Sequence, residues 1–232
     1  MIRDTLTLFF GAAFPLVLLA LLSAIQRNIP VPLFKIESLA PGIAVFGQSF
    51  LTLFAALLIS RDRATALTQR LMASPMTGAD FILGYTLPML PLALFQALMC
   101  LLCGGLMGLS LLHLPSALLA LLVSAVFYIA LGLLFGSLLS DKQVGGICGA
   151  LLTNLSAWLS GIWFDVKLVG SGFYAAANAL PFIHAVEAAR AAAAGNLSAL
   201  PTHLAIVAAY AAALLALAVP AFTRSMQGAK NK

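Results

Sequence analysis

The sequence predicts an all-α integral membrane protein with six transmembrane helices, and three observations carry that prediction. Its 232 residues are 62% hydrophobic and only 8% charged, with a mean hydropathy of +1.08. A soluble domain cannot hide that much apolar side chain, whereas a bilayer makes it the outer surface. The apolar residues come in runs of about 20, the length that crosses a ~30 Å hydrocarbon core. The charges, finally, fall in the short gaps between runs. The formal net charge of +5 therefore points to orientation in a membrane and not to nucleic acid, because basic residues beside apolar spans set topology.

The first span is Leu6 to Ile25, preceded by Arg3. Its length exceeds the roughly 7–15 apolar residues of a secretory signal and no small-x-small cleavage site follows, so it reads as an uncleaved helix. Leu39 to Ile59 is the second. No full charge occurs from Phe81 to Ser140, which is too long for one crossing. Gly104, Gly105, Gly108, His113 and Pro115 divide it into Phe81–Cys103 and Ser116–Leu139. Val144–Trp163 and Leu204–Phe222 complete the six, and the whole of residues 1–232 is one transmembrane domain.

Six spans put both termini on one side. That side receives Arg3, Arg61, Arg63, Arg70, Lys142, Arg224, Lys230 and Lys232, against Arg27, Lys35, Lys167 and Arg190 on the other. The positive-inside rule places the first set in the cytoplasm.

The gap after the second span is the most charged part of the chain. Arg61, Asp62, Arg63, Arg70 and Asp80 lie within it. Arg61 to Ala73 reads as a short surface helix, with Ala64, Leu67 and Leu71 forming an apolar stripe and Arg63 and Arg70 along its edge. Pro75 stops it. Thr77-Gly-Ala-Asp80 then has the form of a capping box before the next span. On these grounds alone, a helix resting on lipid headgroups and one docking on a protein are equally served.

Other features are weaker. Cys100, Cys103 and Cys148 all lie in apolar runs and read as packing residues. Gly104/Gly108, Gly132/Gly136 and Gly145/Gly149 are small-xxx-small pairs that suit close helix approach. Trp163, Asp165 and Lys167 mark a membrane interface. Beyond them Phe182 to Ala194 predicts a helix on which Glu187 and Arg190, three apart, pair. His184 and Glu187 share that helix but lack the further ligands of a metal site, and no catalytic constellation stands out. Asn196-Leu-Ser198 fits a glycosylation sequon. No G-x-x-x-x-G-K-[ST] phosphate loop occurs, so the chain has no nucleotide site of that kind.

"ISRDRATALTQRLMASPMTGADFILGYTLPML" resembles the stretch after the second span of ABC type-2 permeases, where a charged helix leads into an Ala-Ser/Thr-Pro turn and a Phe-Ile-Leu-Gly helix start. "ALPFIHAVEAARAAAAGN" resembles that family's segment before the last span, and "FPLVLL" its first span. The resemblance implies the type V exporter fold, with a cytoplasmic coupling helix between helices 2 and 3. It also implies two short extracellular or re-entrant helices between helices 5 and 6. It implies a multi-pass subunit of the bacterial inner membrane that binds no cofactor itself, ATP and magnesium being held by a separate ABC ATPase.

Arg61, Arg63, Ala64, Leu67, Arg70, Leu71, Met72 and Pro75 would then form the ATPase-coupling surface. Leu67, Leu71 and Met72 would fill a cleft, Arg63 and Arg70 would meet an acidic rim, and Asp141-Lys142-Gln143 would add a minor contact. Glu187 and Arg190 would be a half-buried pair in the re-entrant gate, costly to break at that depth. A second permease, identical or different, would complete the path. Its near-absence of charge suits an amphipathic, lipid-like, drug-like or lipid-linked glycan substrate. Members of the family usually begin with an elbow helix; only Met1 to Thr5 precede the first span here, so the elbow is absent or supplied by another subunit. Two other readings stay open: an intramembrane hydrolase using Ser160 and His184, and a non-transporting biogenesis or haem-export component.

Overall fold

The computed structural model describes residue 11 and residues 13–30, 34–63 and 77–230, and every regular element among them is helical. In chain order these are α1 (Phe14–Arg27), α2 (Ile36–Arg63), α3 (Gly78–Leu106) and α4 (Leu114–Leu138). Next come α5 (Asp141–Val144), a π-helical segment (Gly145–Leu152) and α6 (Thr153–Leu159). A 3-10 turn (Val166–Val169), α7 (Ser171–Ala179), α8 (Pro181–Ala193) and α9 (Leu200–Lys230) complete the chain.

Among the described residues four helices are long and apolar enough to cross a membrane: α2, α3, α4 and Leu200–Met226 of α9. The other two expected spans differ in form. Residues 1–10 lie outside the described residues, and the 14-residue α1 covers the latter part of the first expected span. The fifth is not one regular helix, since it changes pitch twice between Asp141 and Leu159. "GGICGALL" supplies the reason. Three glycines in this stretch remove Cβ crowding, so the backbone can widen into π geometry. The Thr153 hydroxyl donates to the Cys148 carbonyl five residues earlier, 3.1 Å away.

Helix ends follow local chemistry. Asp80 N donates to Thr77 Oγ1 while Thr77 N donates to Asp80 Oδ2, the reciprocal capping box that the sequence predicts, although α3 starts three residues before the expected Phe81. Gly108 at φ +110° turns the chain out of α3, a conformation that side chains with a Cβ rarely take. Pro115 opens α4, where a missing N–H costs nothing.

α2 is the central post, buried along most of its length and packed on α1, α3, α4 and α8. α9 packs on α4 and α8, with much of its surface facing outward. Only one of the three glycine pairs forms a helix contact as a pair. A Cβ on Gly132 would come within 2.8 Å of the Ala55 Cβ, and one on Gly136 within 2.6 Å of the Ala56 Cα, so α2 and α4 touch backbone to backbone there. Gly108 is a turn residue and Gly145 faces open space. Polar side chains stitch the same core. Gln48 Nε2 donates to Leu121 O at 2.9 Å, Thr52 Oγ1 to Tyr128 O at 2.9 Å, and the Tyr128 hydroxyl meets that of Ser156. Such bonds are each worth about 0.6–2 kcal/mol between membrane helices.

Candidate functional site

The charged cluster at the C-terminal end of α2 ties together the ends of three other elements. Arg61 Nε donates to Asp141 Oδ1 of α5 at 3.1 Å. The Tyr85 hydroxyl of α3 donates to Asp62 Oδ2 at 3.0 Å. Arg63 donates from Nη1 to the Ser137 carbonyl and from Nη2 to that of Leu139, where α4 runs out of internal donors. A cation there also meets the negative end of the helix dipole.

These ties differ in weight. The Arg61–Asp141 pair is well exposed on both sides (60% and 50%), so it contributes about 0–1 kcal/mol. Arg63 is half-buried and bonds two helix-end carbonyls, which makes it the firmer tie. Arg63 is therefore directed into the chain, not outward toward a partner's acidic rim. Asp141 likewise faces Arg61, and the α5 turn is fixed by a second capping box between Ser140 and Gln143. Ala64, Leu67, Arg70, Leu71, Met72 and Pro75 lie outside the described residues. Their flanks are described: α2 ends in the Arg61–Arg63 cluster, and α3 begins at the Thr77 cap.

The opposite end of α2 carries the second site. From Ser38 to Arg61, at 1.5 Å per residue, is about 35 Å, close to the thickness of a bilayer's hydrocarbon core. There Glu187 and Arg190 pair as expected, at 3.0 Å, with Glu187 42% and Arg190 21% exposed. Arg190 does more than pair. Its Nε donates to the Ser38 carbonyl at 3.1 Å and its Nη2 to the Gly161 carbonyl at 3.1 Å, so it binds α8 to the start of α2 and to the turn after α6. Sequence spacing gives no hint of these carbonyls, because their partners lie far off in the chain.

Beside the pair, His184 and His203 face each other across α8 and α9, Nδ1 to Nδ1 at 2.9 Å. His184 Nε2 sits 2.9 Å from the Asn178 carbonyl, which cannot donate. The proton therefore belongs on His184 Nε2, its Nδ1 accepts, and His203 Nδ1–H donates. A cavity of about 600 Å³ opens over these residues, walled by the turn around Asp165 and Lys167 and by Trp163, whose ring meets Phe46 edge-on.

Ser160 and His184 do not form a nucleophile–base pair. The Ser160 hydroxyl is buried and donates to Ala157 O, and both ring nitrogens of His184 are engaged elsewhere. Among the described residues no three His, Cys, Asp or Glu side chains group as metal ligands. Cys100, Cys103 and Cys148 are free thiols within the packed helices.

A family model described as ABC-2 type transporter matches residues 1–193, which takes in the charged end of α2 and runs to the last residue of α8. No curated protein and no solved structure matches the chain.

Proposed function

The chain belongs to the ABC-2 type transporter family, and from that premise we propose that it is the permease subunit of an exporter driven by a separate ATPase. The family makes it a membrane component of an ABC-type transporter. The exporting direction, the ATPase contact and the nature of the cargo are our reading. In this reading the Arg61 end faces the cytoplasm, in keeping with the excess of basic residues on that side. The chain works as a dimer of permeases, and an amphipathic molecule of low charge crosses between the two.

One observation supports the coupling role above others. Arg61, Asp62 and Arg63 bind the end of α2 to α5, α3 and α4. Any force applied to the stretch between Arg63 and Thr77 therefore reaches four helices at once. A soluble ATPase gripping Leu67, Leu71 and Met72 would act on the bundle through the joined ends of these helices. The outward-facing role in our assignment falls to Arg61, Arg70 and Lys142, because Arg63 is spent on holding α4. Glu187 and Arg190 latch the far end closed, α8 acting as the stop between pathway and exterior.

Purification through a tag on this chain tests the proposal. It should bring down an ATP-hydrolysing subunit in comparable amount, and the isolated chain should hydrolyse no ATP. Hydrolysis by the isolated chain, or purification with no ATPase under conditions that keep the membrane complex intact, would overturn it.

A further inference from the structure

The cavity at the Arg190 end has the makings of a binding site that the transport reading does not use. It is about 600 Å³, within the range of ligand pockets. It is lined by Arg190, whose charge is met by Glu187 and three of whose five N–H donors go to Ser38, Glu187 and Gly161. Glu187 spends Oε1 on that contact, and its side chain stays 42% exposed beside the cavity. The wall is the 3-10 turn. Asp165 Oδ1 accepts the Lys167 backbone N–H at 3.0 Å and fixes the turn, while the Lys167 ammonium lies 5.4 Å from the centre of the Tyr174 ring. An ammonium has three N–H donors and the ring face claims only part of it, so Lys167 can still take an anion.

The mouth is apolar. Leu168 is 82% exposed and Phe164 37%, both lining the cavity beside Asp165 and Lys167, and the adjoining Val169 is 56% exposed. In water such a cluster is unfavourable. At the headgroup level of a membrane it sinks into the acyl boundary, with Lys167 held at the interface. The lining therefore offers, in one cavity, a cation, an accessible carboxylate, aromatic rings and an apolar lip. A molecule complementary to all three carries an anion, an ammonium and hydrocarbon chains.

We propose that this cavity binds the zwitterionic headgroup of a membrane phospholipid, with the phosphate on Lys167, the ammonium at Glu187, and the acyl chains leaving past Phe164 and Leu168. The site goes beyond the transport reading and does not require the ATPase. A lipid seated there rests against the Glu187–Arg190 latch, so the leaflet would bear directly on α8.

The probe is Trp163 fluorescence. The chain has two tryptophans, and Trp158, 58% exposed on α6, is replaced by phenylalanine so that Trp163 alone reports. The purified full-length chain in detergent is titrated with dihexanoyl phosphatidylethanolamine, with dihexanoyl phosphatidylglycerol, and with O-phosphoethanolamine, which has the zwitterion without the chains. We expect a saturable change with the first and about tenfold weaker binding of each of the others, the loss expected for one charged or apolar contact. Lys167→Ala and Glu187→Gln should each weaken the first ligand about tenfold, whereas Leu168→Asp should weaken the lipid and leave O-phosphoethanolamine unchanged. Lys167 and Leu168 are exposed, so those variants fold. Equal binding of the two lipids, absence of saturation, or indifference to Lys167→Ala overturns the proposal. O-phosphoethanolamine binding as tightly as the lipid assigns the site to a soluble zwitterion and overturns the lipid.

Discussion

Replacing Arg190 and Glu187 one at a time should give unequal losses, although the sequence presents them as equal partners. Arg190→Gln removes the ion pair and both cross-helix bonds, to Ser38 O and Gly161 O. Hydrogen bonds from a charged donor are worth about 1.5–3 kcal/mol each when buried, and partial exposure here trims the two together to about 2–3 kcal/mol. Glu187→Gln removes only the ion pair to a side chain on its own helix, at an exposed edge, worth about 0.5 kcal/mol. The double variant should match Arg190→Gln, because Glu187 has little left to lose once its partner is gone. For a chain of this size about 1 kcal/mol moves the melting temperature by about 2–4 °C. Thermal unfolding in detergent should therefore show a drop of about 5–10 °C for Arg190→Gln and about 1–2 °C for Glu187→Gln. A Glu187→Gln loss as large as that of Arg190→Gln would refute the reasoning, since it would place the carboxylate, not the guanidinium, at the junction of the helices.

Gly136→Leu should prevent folding or cost about 3 kcal/mol or more, because the new side chain meets the α2 backbone at Ala56, whereas Gly145→Ala should be nearly neutral; yield and melting temperature in detergent tell them apart. Thr77→Ala should cost about 1 kcal/mol by leaving the first turn of α3 uncapped, and Thr77→Ser should restore it. His203→Phe should loosen α8 from α9 at a cost of about 1 kcal/mol, since it removes the Nδ1–Nδ1 hydrogen bond to His184 at 2.9 Å. Amide exchange in α8 should rise in that variant, and unchanged exchange would refute the contact. Reporter fusions at Asn196 and Lys232 should lie on opposite sides of the membrane, and the same side for both would rule out the six-span topology.

What the sequence discloses here is what short-range pattern controls. The Thr77–Asp80 capping box, the long spans of α2, α3 and α4 and the Glu187–Arg190 spacing all follow from residues within a few positions of each other. What it conceals depends on distant pairing. Nothing local says that Arg63 will turn onto the end of α4, 74 positions away, or that Asp62 will take the Tyr85 hydroxyl. The three glycine pairs look alike as text. Only Gly132 and Gly136 face another backbone, and that depends on how α4 is rotated against α2. The π-helical stretch is a further case: its glycines permit the wider turn, but a span of regular helix would satisfy the same hydropathy. His184 and His203 came together unforeseen because the sequence pointed His184 at Glu187, its neighbour on one helix, whereas its partner is on the next.

If an ATPase grips the stretch between Arg63 and Thr77, as proposed, its recovery must depend on the apolar side chains there, and site-directed variants measure that dependence. Leu67→Asp and Leu71→Asp each place a carboxylate in the proposed apolar contact, at about 1–3 kcal/mol of desolvation, enough to lower recovery about tenfold. Leu168→Asp, at the far end of the bundle, is the control and should recover ATPase as the unaltered chain does. Equal recovery on all three would overturn the ATPase contact and leave that stretch resting on lipid.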